Sequence, residues 1–135
     1  MEAKKTELDA SSVSLRDDGI MHVHIKSGRE VGIQDAREIV KTIGKLGKKK
    51  KYPVLIDCDE FAMISKEAWE YSESDEANIY IAADAVAYHS LAHKLLADFY
   101  AKLNKQNAPT QVFKDNDAAI AWLKTFVKGG KEVTV

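Results

Sequence analysis

Cysteine is nearly absent from this sequence: Cys58 is the single one in 135 residues. A lone thiol closes no internal disulfide, so a reducing compartment and a cytoplasmic location are expected. No apolar run approaches the roughly 20 residues that a membrane helix needs, which argues against membrane insertion. Residues 1–9 are charged and no apolar stretch follows them, so no signal peptide is expected. Charge of one sign is missing too. The 20 basic and 21 acidic residues leave a net charge of -1, with no pull toward nucleic acid or an anionic membrane. A glycine-rich phosphate loop, a G-x-S-x-G elbow, an EF-hand loop and an H-E-x-x-H zinc signature are all lacking.

What is present is globular. Hydrophobic residues make up 45% and charged residues 30%, enough for one domain with its own core. Residues 1–6 read as a disordered end, 7–128 as a single domain and 129–135 as a mobile tail. Two alternating stretches, 8–15 and 20–25, flank a turn ending in Gly19 and form a hairpin. Within it Met21, Val23 and Ile25 share one face, and His22 and His24 share the other, which is read as the solvent side. Ala36, Ile39, Val40, Ile43 and Leu46 follow helical spacing, closed by Gly47 and the lysines at 48–51. Val54-Leu55-Ile56 is a continuous apolar run, suited to a parallel strand covered on both sides. Ser65 caps a second helix. Residues 74–83 are read as helical, with a short strand at 85–88. Ser90 caps a third helix with an apolar stripe of Leu91, Leu95, Leu96, Phe99 and Leu103. A strand at 110–113 and a last helix over Ala119, Trp122, Leu123 and Phe126 complete the chain.

The order is therefore β-β-α-β-α-β-α-β-α, an α/β fold with a mostly parallel five-stranded sheet after an N-terminal hairpin. The expected core is Val23, Ile25, Ile39, Val40, Ile43, Leu55, Ile56, Val86, Leu95, Phe99, Val112, Trp122 and Leu123.

Asp57 falls at the C-terminal end of a parallel strand, the edge where open α/β sheets gather ligands. His89 and the helix starts at Ser65 and Ser90 are expected at the same rim, so Asp57, Ser65, His89 and Ser90 are the ligand-site candidates. Cys58 lies beside Asp57 and Asp59, whose charges disfavour a thiolate, and reads as a small buried residue. His89 and His93 share a helix face but have no clear third ligand, so no metal site and no cofactor are expected. The lysines at 41, 45 and 48–51 form a basic patch without interleaved aromatics and read as a solvated helix end.

The stretch Pro109-Thr110-Gln111-Val112-Phe113-Lys114-Asp115, followed by Ala118-Ala119-Ile120-Ala121-Trp122-Leu123, resembles the closing strand and helix of SpoIIAA-like proteins, relatives of STAS domains. The segment from His89 to Tyr100 and the pattern from Val13 to Cys58 look like the same group. The resemblance implies a superhelix of β-α units and a regulatory module that acts through protein partners. It also implies that Ser65 is the phosphorylation candidate, although Ile64 stands where the family pattern has Asp, and Lys66-Glu67 where it has small residues. The alternative is a carrier or sensor of a small apolar or anionic ligand, by analogy with Sec14-type domains. An enzyme is not expected, because no nucleophile, base and orienting group can be assigned together. A homodimer is among the arrangements the sequence leaves open.

Overall fold

The computed structural model describes residues 2–91, 94, 95, 98 and 108–127. Its main sheet has six strands: β1 (Glu2–Glu7), β2 (Ser11–Arg16), β3 (Met21–Ile25), β5 (Tyr52–Cys58), β7 (Ile81–Ala87) and β8 (Thr110–Phe113), lying side by side in that order. Strands β1, β2 and β3 run antiparallel to one another, whereas β3, β5, β7 and β8 are parallel. Two short strands, β4 (Glu30–Val31) and β6 (Met63–Ile64), pair separately in parallel. The helices are α1 (Ile33–Leu46), α2 (Lys66–Tyr71) and α3 (Asn116–Lys124). Leu91, Lys94, Leu95 and Asp98 are also helical.

Each helix begins where a side chain satisfies a free N–H. The Asp35 carboxylate accepts from the Gly32 N–H at 2.9 Å, Ser65 Oγ accepts from Ala68 at 3.1 Å, and Asp115 Oδ1 accepts from Ala118 at 2.8 Å. Such caps contribute about 1 kcal/mol each. Gly44 lies within α1 because a Cβ there would overlap the ring of Tyr80. The hairpin turn between β2 and β3 uses Gly19 at φ +85°, a conformation that costs glycine nothing.

Right-handed crossovers put α1 and α2 on one face of the sheet, where Ile39, Ile43 and Ala68 pack on Val23, Ile25 and Val54. Helix α3 follows β8 and covers the other face, packing Ala119 and Leu123 on Ile20, Leu55, Ala83, Ala85 and Ala87. The alternation of β5 serves both layers, with Val54 toward α1 and Leu55 toward α3. Burial of each such branched side chain is worth about 1.5–3 kcal/mol. The register of β7 against β5 shifts between the Tyr52–Ile81 and Pro53–Ala83 pairs. The extra residue, Ala82, moves Ile81 to the α1 side while Ala83, Ala85 and Ala87 stay on the α3 side.

Several expectations change. Glu2–Glu7, expected as part of a disordered end, is a strand paired with β2. An edge strand draws its stability from the backbone ladder, so a polar sequence without an apolar pattern still suffices. The sheet has six strands where five were expected. Residues 72–80 are turns rather than helix, and β7 starts at Ile81; the apolar residues there are too few to distinguish the two periods. Of the expected core, Val23, Ile25, Ile39, Ile43, Leu55, Val86 and Leu123 are buried, while Val40, Ile56, Val112 and Trp122 are half-buried. Leu91 and Leu95 are 71% and 60% exposed. Helical spacing sets that two leucines share a face and not which way that face turns. His93, Leu96, Phe99, Leu103 and residues 129–135 lie outside the described residues.

Candidate functional site

Asp57 ends β5 at the rim expected for ligands, and it is only 7% exposed. Parallel pairing places His24 beside Asp57 and His22 beside Leu55, all on the α3 face of the sheet. His22 Nε2 and His24 Nδ1 each lie 3.2 Å from Asp57 Oδ2, His89 Nε2 lies 3.4 Å from Oδ1, and Asn116 Nδ2 donates to Oδ2 at 3.2 Å. Ala87 pairs with Asp57 from β7 and is buried on the α3 face. Burial alone would raise the pKa of Asp57. The donors from His22, Asn116, His24 and His89 outweigh it and hold the carboxyl well below the usual carboxylate range.

His24 is gripped at both ends, since its Nε2 lies 3.1 Å from Asp59 Oδ2. Asp59 in turn accepts the Ser27 N–H at 3.2 Å. The cluster therefore joins β3, the end of β5, the turn after β7 and the first residue of α3.

Two of the four sequence candidates meet here, namely Asp57 and His89. Ser65 caps α2 through its Oγ, and no hydrogen bond joins it to Asp57 or His89 among the described residues. Ser90 follows His89, and its carbonyl accepts the N–H of Lys94 at 3.1 Å. His22 and His24 were expected to face solvent; they are half-buried against Asp57 instead. Their signal was two histidines alternating with Met21, Val23 and Ile25, on the strand that pairs with the one carrying Asp57. Cys58 is buried, and desolvation followed by the charges of Asp57 and Asp59 pushes its thiol up to about 12.

A second feature lies on the opposite face. Between the sheet and α1 and α2 is a cavity of about 110 Å³, lined by Ile39, Val40, Ile56, Ile64, Trp69, Tyr71 and Val86 among others. Asp84, in the middle of β7, also lines it. Asp84 is 8% exposed, its Oδ1 has no hydrogen-bond partner among the described residues, and burial raises its carboxyl to about 7. An acid flanked by Ala83 and Ala85 inside an apolar strand was a visible signal that the sequence reading did not use.

The sequence matches the family model "Domain of unknown function (DUF7793)" over residues 13–127. The chain belongs to the DUF7793 family. No curated protein matches it in sequence. In structure, the DUF7793 chain is similar to the crystal structure of an uncharacterised protein of the DUF3478 family with a SpoIIAA-like fold, from Shewanella loihica PV-4. The TM-score is 0.59 at 15% identity, over 87% of this chain and 97% of that one. The DUF7793 domain thus has the SpoIIAA-like fold that the closing strand and helix resembled. Among its described residues no helix is long and apolar enough to cross a membrane.

Proposed function

We propose that this domain is a binding module rather than an enzyme, and that it holds a small, mainly apolar molecule carrying one cationic or N–H-donating group. The observation that supports this is Asp84. A buried carboxyl without a partner is costly, by several kcal/mol once ionised. Here it stands at the wall of an apolar cavity large enough for about one ring or a short alkyl chain. A ligand with an ammonium or amide N–H beside Asp84 Oδ1 supplies the missing partner, and its apolar body fills the space between Ile39, Ile56 and Val86. Of the apolar and anionic ligands open from the sequence, the acid disfavours the anionic kind. The high thiol pKa and burial of Cys58 leave it a poor nucleophile, which fits binding rather than catalysis. Phe61 and Met63, 69% and 59% exposed, favour a second reading in which a protein partner senses the module, as the STAS resemblance implies.

The test is a fragment screen by chemical-shift perturbation, comparing small alkyl- and arylamines with carboxylates of the same skeleton. Amines should shift Asp84, Ile39 and Ile56, and Asp84→Asn should weaken them about tenfold or more, as expected for a charged hydrogen bond. Equal binding of the carboxylates, or no binding of any fragment to the cavity, would refute the reading.

A further inference from the structure

The cluster around Asp57 also has the spacing of a metal site. His22 Nε2 and His24 Nδ1 each stand 3.2 Å from the same oxygen, Asp57 Oδ2, at the long end of the N–H···O range. Ligand atoms at about 2.0–2.1 Å from a tetrahedral zinc lie roughly 3.3 Å from one another. The two nitrogens and the oxygen all lie within 4.8 Å of one another. The rings come from alternate residues of one strand, whose backbone ladder to β5 fixes their spacing against Asp57.

The surroundings also fit a metal. His24 turns Nδ1 toward the cluster and Nε2 toward Asp59. A neutral imidazole has one N–H, so a cation that takes the place of the Nδ1 proton leaves the remaining proton on Nε2 for Asp59 and the Nδ1 lone pair for the metal. A carboxylate behind a ligating histidine is the usual support of such sites. His89 lies at the other oxygen of Asp57, 3.4 Å away, so at Oδ2 a cation shares the oxygen with the Asn116 Nδ2 donor at 3.2 Å. The Oδ1 of Asn116 is buried beside the cluster with no hydrogen-bond partner among the described residues, where a metal-bound water could donate to it.

We propose that His22 Nε2, His24 Nδ1 and Asp57 Oδ2 form a binding site for a divalent transition metal of the zinc type, with the fourth position open to water and Asp59 as the positioning residue for His24. Two imidazoles and one carboxylate suit zinc rather than magnesium or calcium, which favour oxygen ligands. The site is independent of the Asp84 cavity, which lies on the other face of the sheet.

The experiment uses the full chain stripped with a chelator and titrated with zinc by calorimetry and with cobalt by visible absorption. One metal per chain is expected, with the intense visible bands of four-coordinate cobalt. His24→Gln and His22→Gln should each lower zinc affinity about 100-fold, and Asp59→Asn by about 10–100-fold. Far-ultraviolet circular dichroism checks that each variant is folded. Asp59→Asn leaves all three ligands in place, so it remains informative if a histidine variant fails to fold. Three results would each overturn the proposal: no stoichiometric uptake by the folded protein at micromolar zinc, uptake unchanged by the His22 and His24 variants, or the weak spectrum of six-coordinate cobalt.

Discussion

Asp57 and Asp84 sit on neighbouring parallel strands and are almost equally buried, at 7% and 8% exposure, yet their acidities move in opposite directions. Asp57 faces the α3 side and has donors from three histidines and an asparagine, so its charge is stabilised in the fold. Asp84 faces the α1 side at a mainly apolar cavity, with no partner for Oδ1 among the described residues, so its charge is opposed. Burial sets the penalty; the donors within reach decide the sign. The one arrangement stabilises the fold as it stands, while the other costs stability until something binds.

The largest effect should come from Asp57→Ala. It leaves His22, His24 and Asn116 half-buried without their shared acceptor, and about 3 kcal/mol should be lost in urea denaturation at pH 7. A loss below about 0.5 kcal/mol, the size of an ordinary surface substitution, would break the comparison. Asp84→Asn should act the other way. The carboxyl moves from 3.8 to about 7, which at about 1.4 kcal/mol per pKa unit bounds the gain at roughly 4 kcal/mol above pH 7. The sign follows from proton linkage, since the folded protein holds the Asp84 proton that the unfolded chain has released. Wild-type stability should therefore fall as pH rises from about 4 to 7, and the advantage of Asp84→Asn should appear over the same window and vanish below it. Denaturation midpoints of both proteins at pH 4.5 and pH 8 check this, and an equal difference at both would refute it.

Asp57 gives a smaller pH effect of opposite sense. Its pKa is lowered, so its contribution is fully present above the unfolded value of 3.8 and is lost as pH falls below it. The difference between wild type and Asp57→Ala should therefore shrink on acidification of the metal-free protein, as followed by urea midpoints at pH 6 and pH 2.5. The smallest effect concerns Cys58, next to Asp57. Its thiol should resist iodoacetamide at pH 7, because burial is the first cause of its high pKa and the two acids add to it. Rapid alkylation of the folded protein, read by mass spectrometry, would show that the end of β5 is open to solvent.

Much of the architecture was legible locally. Alternation at 20–25 and the apolar run at 54–56 marked β3 and β5, and Ser65 marked a helix start, because two-residue and 3.6-residue periods and side-chain caps are short-range effects. The strand Glu2–Glu7 was not legible, since its partner, and not its composition, holds it. At the site, Asp57 and His89 could be placed from topology alone because one lies at the end of a strand and the other just after one. His22 and His24 could not, because alternation says that they share a face and is silent about what covers it.

The sequence by itself determined which side chains travel together: His22 with His24, Val54 with Ile56, Ala85 with Ala87. Backbone geometry fixes those relations within each strand. Only the tertiary structure decided what each set meets. Register between β3 and β5 brings His24 to Asp57 across 33 positions of chain, and the bulge at Ala82 separates Ile81 from the alanines that face α3. The acidity of an aspartate depends on the groups within a few ångströms of its oxygens, and those groups come from distant parts of the chain. For that reason two acids that look alike in sequence became a stabilised anion on one face of the sheet and an unpaired acid on the other.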